Sequence, residues 1–265
     1  MNTTHPSPGP TGHPVTVLQV DEHQWHAVRD DRVVGRGDAW RRPDGRTFVS
    51  VDAWDGPVFD RLAETLADRL PTPLYTLADQ NDPDSQAAWQ RVGFTTHRRE
   101  WQYTVPTDPG VTGLDALRPP PGVTVLPAGR AVADPLRALD RAIRAEVGAG
   151  VGWQTMPAEV IPLPDGVTVP DPSKYAVAVQ DGRYVGMLRL APVPRQPRIG
   201  LLAVLADRQR QGVARALLAD TLDALHRAGV AAATAEVSES NHAARQLFEG
   251  IGARLTSTNL ELVRR

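Results

Sequence analysis

The apolar positions in the second half of the chain switch between two periods, and each switch marks an element. Tyr175-Ala-Val-Ala-Val179 reads as a strand, Asp181-Gly182 as a favoured two-residue turn, and Tyr184–Leu190 as the returning strand. Ile199–Leu205 is continuously apolar, as expected of a central strand buried on both faces. Ala214, Leu217, Leu218, Leu222 and Leu225 then recur at helical spacing up to Gly229, and Ala231–Val237 is the next strand. Asn241 is placed to cap a helix that buries Ala244, Leu247, Phe248 and Ile251 and ends at Gly252; Leu255–Val263 supplies a last strand. Upstream, Val123–Leu126 predicts a short strand. Asp134-Pro135 predicts a helix start, with Asp as N-cap and Pro at the first helical position, and Leu136, Leu139, Ile143 and Val147 on the buried side.

The first half repeats a shortened version of this order. Trp25–Val34 and Gly37–Trp40 predict strands around Asp31-Arg32, Phe48–Ala53 a strand, Val58–Leu70 a helix, Leu74–Leu77 a strand, Ser85–Val92 a short helix and Gly93-Phe94 the start of a strand ending near Val105. Asn81…Trp89…Gly93-Phe94 parallels Asn241…Phe248…Gly252-Ala253, which reads as an internal duplication, with two unrelated α+β modules as the alternative. Pro119-Pro120-Pro121 can continue neither a helix nor a central strand. The expected organisation is a tail (1–15), a first domain (16–106), a linker (107–122) and a second domain (123–265). The fold class is α/β with mixed sheets.

Composition narrows the chemistry. Lys and Arg total 29 against 31 Asp and Glu, so no basic excess favours nucleic acid as partner. No apolar run could cross a bilayer, and the polar, Pro-rich Met1–Pro14 does not read as a signal peptide, so a cytoplasmic protein is expected. The chain has no cysteine, which excludes disulfides, thiolate metal sites and a cysteine nucleophile. Its seven His show no His-Glu-x-x-His spacing, and no Gly-x-Ser-x-Gly elbow occurs, so neither a metal centre nor the usual hydrolase is expected.

The chemistry-bearing segment is Gln209-Arg210-Gln211-Gly212-Val213-Ala214, between the apolar strand and the helix. A tight loop entering a helix directs several backbone N–H groups at one spot, where the helix dipole also favours negative charge. Gly212 lets a phosphate approach the backbone, and Arg208, Arg210 and Arg215 can add side-chain charge. This run resembles the acetyl-CoA pyrophosphate loop of the GNAT superfamily of N-acetyltransferases, whose pattern is Gln/Arg-x-x-Gly-x-Gly/Ala. Val237-Ser-Glu-Ser-Asn241-x-x-Ala244-x-x-Leu247-Phe248-x-x-x-Gly252 is similar to the strand and helix that follow it in that family.

The resemblance implies two GNAT-like domains with mostly antiparallel central sheets flanked by helices, the first copy degenerate. It also implies residue roles. Gln209, Arg210, Gln211, Gly212, Val213 and Ala214 would hold the pyrophosphate through backbone amides. The backbone of Ala203, Val204 and Leu205 would pair with the pantetheine arm, and Asn241 would contact the cofactor or cap the neighbouring helix. Ala244, Leu247 and Phe248 would line the thioester channel, and Trp153 and Gln154 would lie on the segment covering the acceptor. The family often has Tyr at the position of Phe248 to protonate the departing thiolate, and Phe has no proton to give.

Transfer to an amine also needs a proton acceptor. Glu236 is the first candidate, on the strand face opposite Ala235 and Val237; Glu239 and Glu146 are further ones, and a solvated surface carboxylate is the alternative for each. The expected function is acetyl transfer from acetyl-CoA to a primary amine of a small molecule by direct attack in a ternary complex, without a metal. The alternatives are a non-catalytic CoA-binding sensor or scaffold and an enzyme acting on a protein amine. The mild acidity of the chain leans towards a cationic acceptor. In the first half Trp54-Asp55-Gly56-Pro57 replaces the Gly-rich loop, so that half is expected to be structural: extending the sheet, closing the acceptor site or forming a homodimer surface.

Overall fold

The computed structural model describes residues 14–42, 45–116, 118–150, 152, 170–191 and 196–265. The first half supplies strands β1 (Thr16–Asp21), β2 (Gln24–Arg29), β3 (Arg32–Arg41), β4 (Thr47–Ala53), β5 (Leu74–Asp79) and β6 (Thr95–Pro106), with helices α1 (Gly56–Arg69) and α2 (Pro83–Arg91). After the short α3 (Pro109–Thr112), the second half supplies β7 (Val123–Leu126), α4 (Ala133–Ala149), β8 (Tyr175–Gln180), β9 (Arg183–Ala191), β10 (Arg198–Val204), α5 (Val213–Arg227), β11 (Ala232–Ser238), α6 (His242–Glu249) and β12 (Arg254–Arg264).

The two expected sheets are joined into one twelve-stranded mixed sheet, ordered β1-β2-β3-β4-β5-β12-β6-β11-β10-β9-β8-β7. Exchanging each strand with the one six places along the chain reproduces this order read from the opposite edge. The duplication is therefore visible in the topology, and the last strand of each half lies beside the fifth strand of the other. β12 pairs antiparallel with β5 and β6, and β6 pairs antiparallel with β11.

Three apolar clusters follow. Leu62, Leu66 and Val58 of α1 pack on Trp25, Val49, Leu74 and, across the exchange, Leu260 and Leu262. Val213, Leu217 and Leu218 of α5 pack on Leu188, Ala233, Ala235 and, again across the exchange, Tyr103 and Val105. Leu136, Leu139 and Ile143 of α4 cover Val177, Met187 and Leu201 on the other face. Because Leu262 is fully buried among first-half residues, Leu262→Ala should lower stability by about 2–5 kcal/mol, the usual cost of a core truncation that leaves a cavity. In urea titrations both halves should unfold in one shifted transition; two separate transitions would contradict the interlocking.

Some local expectations change. β1 had no counterpart in the sequence reading. At this sheet edge its apolar Leu18 and Val20 face solvent, at 49% and 48% exposure, so its pattern lacks the usual inward signal. The strands expected at Trp25–Val34 and Gly37–Trp40 instead meet at Asp30-Asp31, both at positive φ. Asp134 is not the N-cap of α4. Helix α4 begins two residues earlier than expected, at Ala133 after Val132, and the Asp134 carboxylate pairs with Arg137 one turn on.

Candidate functional site

Strands β10 and β11 are paired in parallel at only two positions, Arg198 with Thr234 and Ile199 with Ala235. Beyond these they diverge, and from Gly200 to Val204 β10 has a hydrogen-bonded strand only on the β9 side. Part of its backbone is thereby left directed at the gap, as an extended ligand would require. A register shift between Ile199 and Leu201 accompanies the parting, so Gly200 is the bulged residue. The gap continues into a cavity of about 750 Å³ lined by β10, α4, the loop before α5, the end of β11 and α6.

At one end lies the loop picked out in the sequence. Gly212 is the N-cap of α5 in a left-handed conformation (φ 88°), and no side chain caps the helix. The first amides of α5 have no intrahelical acceptor by geometry, so an uncapped start leaves them for a ligand. Gln209 and Gln211 brace the loop: Gln209 Nε2 donates to the Val204 carbonyl at 3.1 Å and Gln211 Nε2 to the Asp207 carbonyl at 3.0 Å. Arg208, Arg210 and Arg215 all line this end. Gln209, Arg210, Gly212, Val213 and Ala214 reach the cavity, as do Ala203 and Val204. Leu205 is set back, its amide bonded to the Val185 carbonyl.

The corresponding place in the first half is built differently. β4 and β5 also pair in parallel at two positions only, so the strands part in the same way. The helix start there is occupied: Asp55 caps α1, its Oδ1 accepting from the Val58 amide at 2.9 Å, while its Oδ2 faces Arg29 at 3.1 Å. A carboxylate sits where a phosphate would have to go.

The wall opposite the loop is α6, where Ala244, Leu247 and Phe248 line the cavity and the Asn241 side chain caps the helix by accepting from the Ala244 amide at 3.1 Å. Strand β6, from the first half, holds this helix. Tyr103 stacks on Phe248 with ring centroids 6.1 Å apart, and its hydroxyl donates to Glu249 Oε1 at 2.7 Å. Burial and that carboxylate push the Tyr103 phenol up to about 12, so it remains a donor at all ordinary pH. The Arg245 guanidinium lies 3.5 Å above the Trp101 ring. These contacts were invisible in the sequence because strand exchange brings together residues about 145 positions apart.

The three carboxylates fare differently. Glu236 lines the cavity where the strands part and is ion-paired with Arg198 at 3.3 Å, both side chains about a quarter exposed. Glu146 also reaches the cavity, and its Oε2 accepts from the Ala206 amide at 3.0 Å, tying α4 to the loop. Glu239 is turned outward into an ion pair with Arg99 at 2.9 Å. Ser238 was not anticipated. It lines the cavity, is buried, and shares a 2.9 Å hydrogen bond with Ser240. Trp153 and Gln154 lie outside the described residues. Among the described residues no cluster of three or more metal-type side chains occurs, and no helix is long and apolar enough to cross a membrane.

Residues 148–253 match the acetyltransferase (GNAT) family model. No curated protein matches the chain. Among solved structures, a GCN5-related N-acetyltransferase from Sphaerobacter thermophilus is 17% identical, with a TM-score of 0.66 over 93% of this chain and 82% of that one. A tandem GNAT protein from the clavulanic acid biosynthesis pathway is 16% identical, with a TM-score of 0.63 over 91% and 82%. A GCN5-related N-acetyltransferase from Kribbella flavida is 16% identical, with a TM-score of 0.60 over 94% and 89%. At these identities the structures speak for the fold, whereas the sequence match speaks for the family. The chain therefore carries a match to the GNAT acetyltransferase family over residues 148–253 and has a fold similar to that of a tandem GNAT protein.

Proposed function

We propose that the chain binds acetyl-CoA in the second half alone and transfers its acetyl group to a primary amine of a small molecule in a ternary complex. The observation that carries this is the pair of half-built hydrogen-bonding surfaces meeting at one cavity: the uncapped amides at Gly212 and the one-sided strand β10. The amides and Arg208, Arg210 and Arg215 suit a pyrophosphate, the free edge of β10 suits the amide-bearing pantetheine arm, and the gap beside Glu236 suits the thioester. Ala244, Leu247 and Phe248 would then keep water from the thioester, and the first domain would be a structural copy.

In the reaction the amine nitrogen uses its lone pair to attack the thioester carbonyl. A C–N bond forms, the C–S bond breaks, and the sulfur leaves with the electron pair. Glu236 takes the proton the amine sheds. The thiolate takes up one proton from solvent, since Phe248 offers none and a free thiol with a pKa near 8.5 needs little help.

Calorimetry should find one acetyl-CoA site per chain, because Asp55 already occupies the helix start in the first half. Two equivalent sites would overturn the assignment of a single working copy. A thiol-release assay over a panel of amines separates the enzyme from a CoA-binding sensor, which would bind acetyl-CoA and release no thiol with any of them.

A further inference from the structure

Strands β10 and β11 run parallel, so the end at which they part is the carboxyl end of both, where the Gly212 loop also lies. A ligand held by its pyrophosphate at that loop and laid along β10 points its far end at the last pair, Ile199 with Ala235. In acetyl-CoA that far end is the acetyl group, and the sulfur comes one bond before the carbonyl carbon. Glu236 is the first residue of β11 beyond the pair. Ser238 is the next one on the same face, about 7 Å nearer the loop. The alternation is secure, because β11 pairs with β6 without a register shift and Ala233, Ala235 and Val237 pack on the other face with Leu217 and Phe248. Both Glu236 and Ser238 line the cavity. The carboxylate thus stands at the acetyl end of the thioester and a hydroxyl on its sulfur side.

Ser238 is only 5% exposed, and its Oγ lies 2.9 Å from the Oγ of Ser240, which is exposed. Each hydroxyl both donates and accepts, so one buried at the cavity and one open to water form a path for a proton. Resting on the acetyltransferase reading above, we infer that Ser238 is the catalytic residue that protonates the departing sulfur, with Ser240 resupplying it from solvent. As the C–S bond breaks, the sulfur takes the electron pair and then the Ser238 hydroxyl proton. Ser238 Oγ takes the proton of Ser240, and Ser240 Oγ takes one from solvent. The transfers run together, so no alkoxide is left. The amine proton held by Glu236 returns to solvent and closes the balance.

The chain has no cysteine, so the ultraviolet absorbance of a thiolate reports bound CoA alone, with the acetyl-CoA complex as the blank for tyrosine. A hydroxyl that donates to the sulfur stabilises the thiolate. The bound CoA thiol should therefore titrate at least about one pH unit higher in Ser238→Ala than in the wild type, a tenfold difference. Glu236 on the same strand, Glu100 opposite Ser238 on β6, Glu146 on α4 and the loop arginines are common to both proteins, so the difference isolates the hydroxyl. Ser238→Thr should bring the midpoint back towards the wild type. Turnover is read as thiol release with glycine, ethanolamine, glucosamine and spermidine as acceptors. Ser238→Ala should lower kcat by about 10-fold or more with acetyl-CoA affinity unchanged in calorimetry, a smaller loss than for most general acids because a thiolate is a modest base. Ser240→Ala should slow turnover while leaving the thiol midpoint in place, since Ser240 resupplies the proton without touching the sulfur. Equal midpoints in the wild type and Ser238→Ala would overturn the relay, as would a wild-type kcat in Ser238→Ala. A shifted midpoint with no thiol release from any of these amines would uphold the contact with the sulfur and refute transfer to them instead.

Discussion

Gly212→Val should weaken acetyl-CoA binding by at least about 100-fold, measured by calorimetry on the full chain. Two costs combine. Gly212 sits at φ 88°, where a β-branched residue is strained, so the loop would relax and turn its amides away. The added side chain would also meet Pro120, since even a Cβ lies 3.3 Å from that ring. Losing two hydrogen bonds to charged phosphate oxygens, at about 1.5–3 kcal/mol each, corresponds to a factor between 100 and 10,000 or more. The strain is local to an exposed loop, so cooperative unfolding should survive, and a urea titration separates lost binding from lost fold. Undiminished affinity in a folded variant would remove the loop from the binding site, and the single-site proposal with it.

The same loop explains how much of the site could be read from the chain. Gln209–Ala214 is contiguous, and its chemistry depends on what precedes and follows it, both evident as apolar periodicity. Asn241 and Phe248 were legible for the same reason, since each is fixed within one helix. What could not be read was whatever depends on strand neighbours. Period-two alternation announces β6 and β12 but not that each belongs beside the other half's fifth strand. Tyr103 and Trp101 therefore appeared to be first-half residues, although they hold α6 of the second. Gly200 carried a signal that went unused, because a glycine inside an apolar strand is a common mark of a bulge. The roles assigned to Glu236 and Glu239 differed little in the sequence, yet the structure sets one at the parting strands and the other in a surface ion pair.

That separation makes Glu236→Gln the sharper catalytic experiment. The amine attacks only when neutral, and a positioned base that removes its proton contributes about 100- to 10,000-fold. Glutamine keeps the shape and can still hydrogen-bond with Arg198, which stands 3.3 Å from the carboxylate, but it cannot accept the proton. At saturating substrates kcat should fall by about 100-fold or more, with acetyl-CoA affinity measured alongside to check the fold. The pH profile carries the more specific signature. A carboxylate accepts a proton only when ionised, so wild-type kcat should decline as the pH drops through its titration. In the variant nothing titrates at that position, and this limb should flatten. Glu239→Gln, changed at a carboxylate bound to Arg99 on the surface, should show neither effect. If Glu236→Gln instead keeps the wild-type rate and limb, proton removal belongs to an ordered water. The arginine beside Glu236 would then serve to hold the carboxylate as an acceptor-binding group instead of a base.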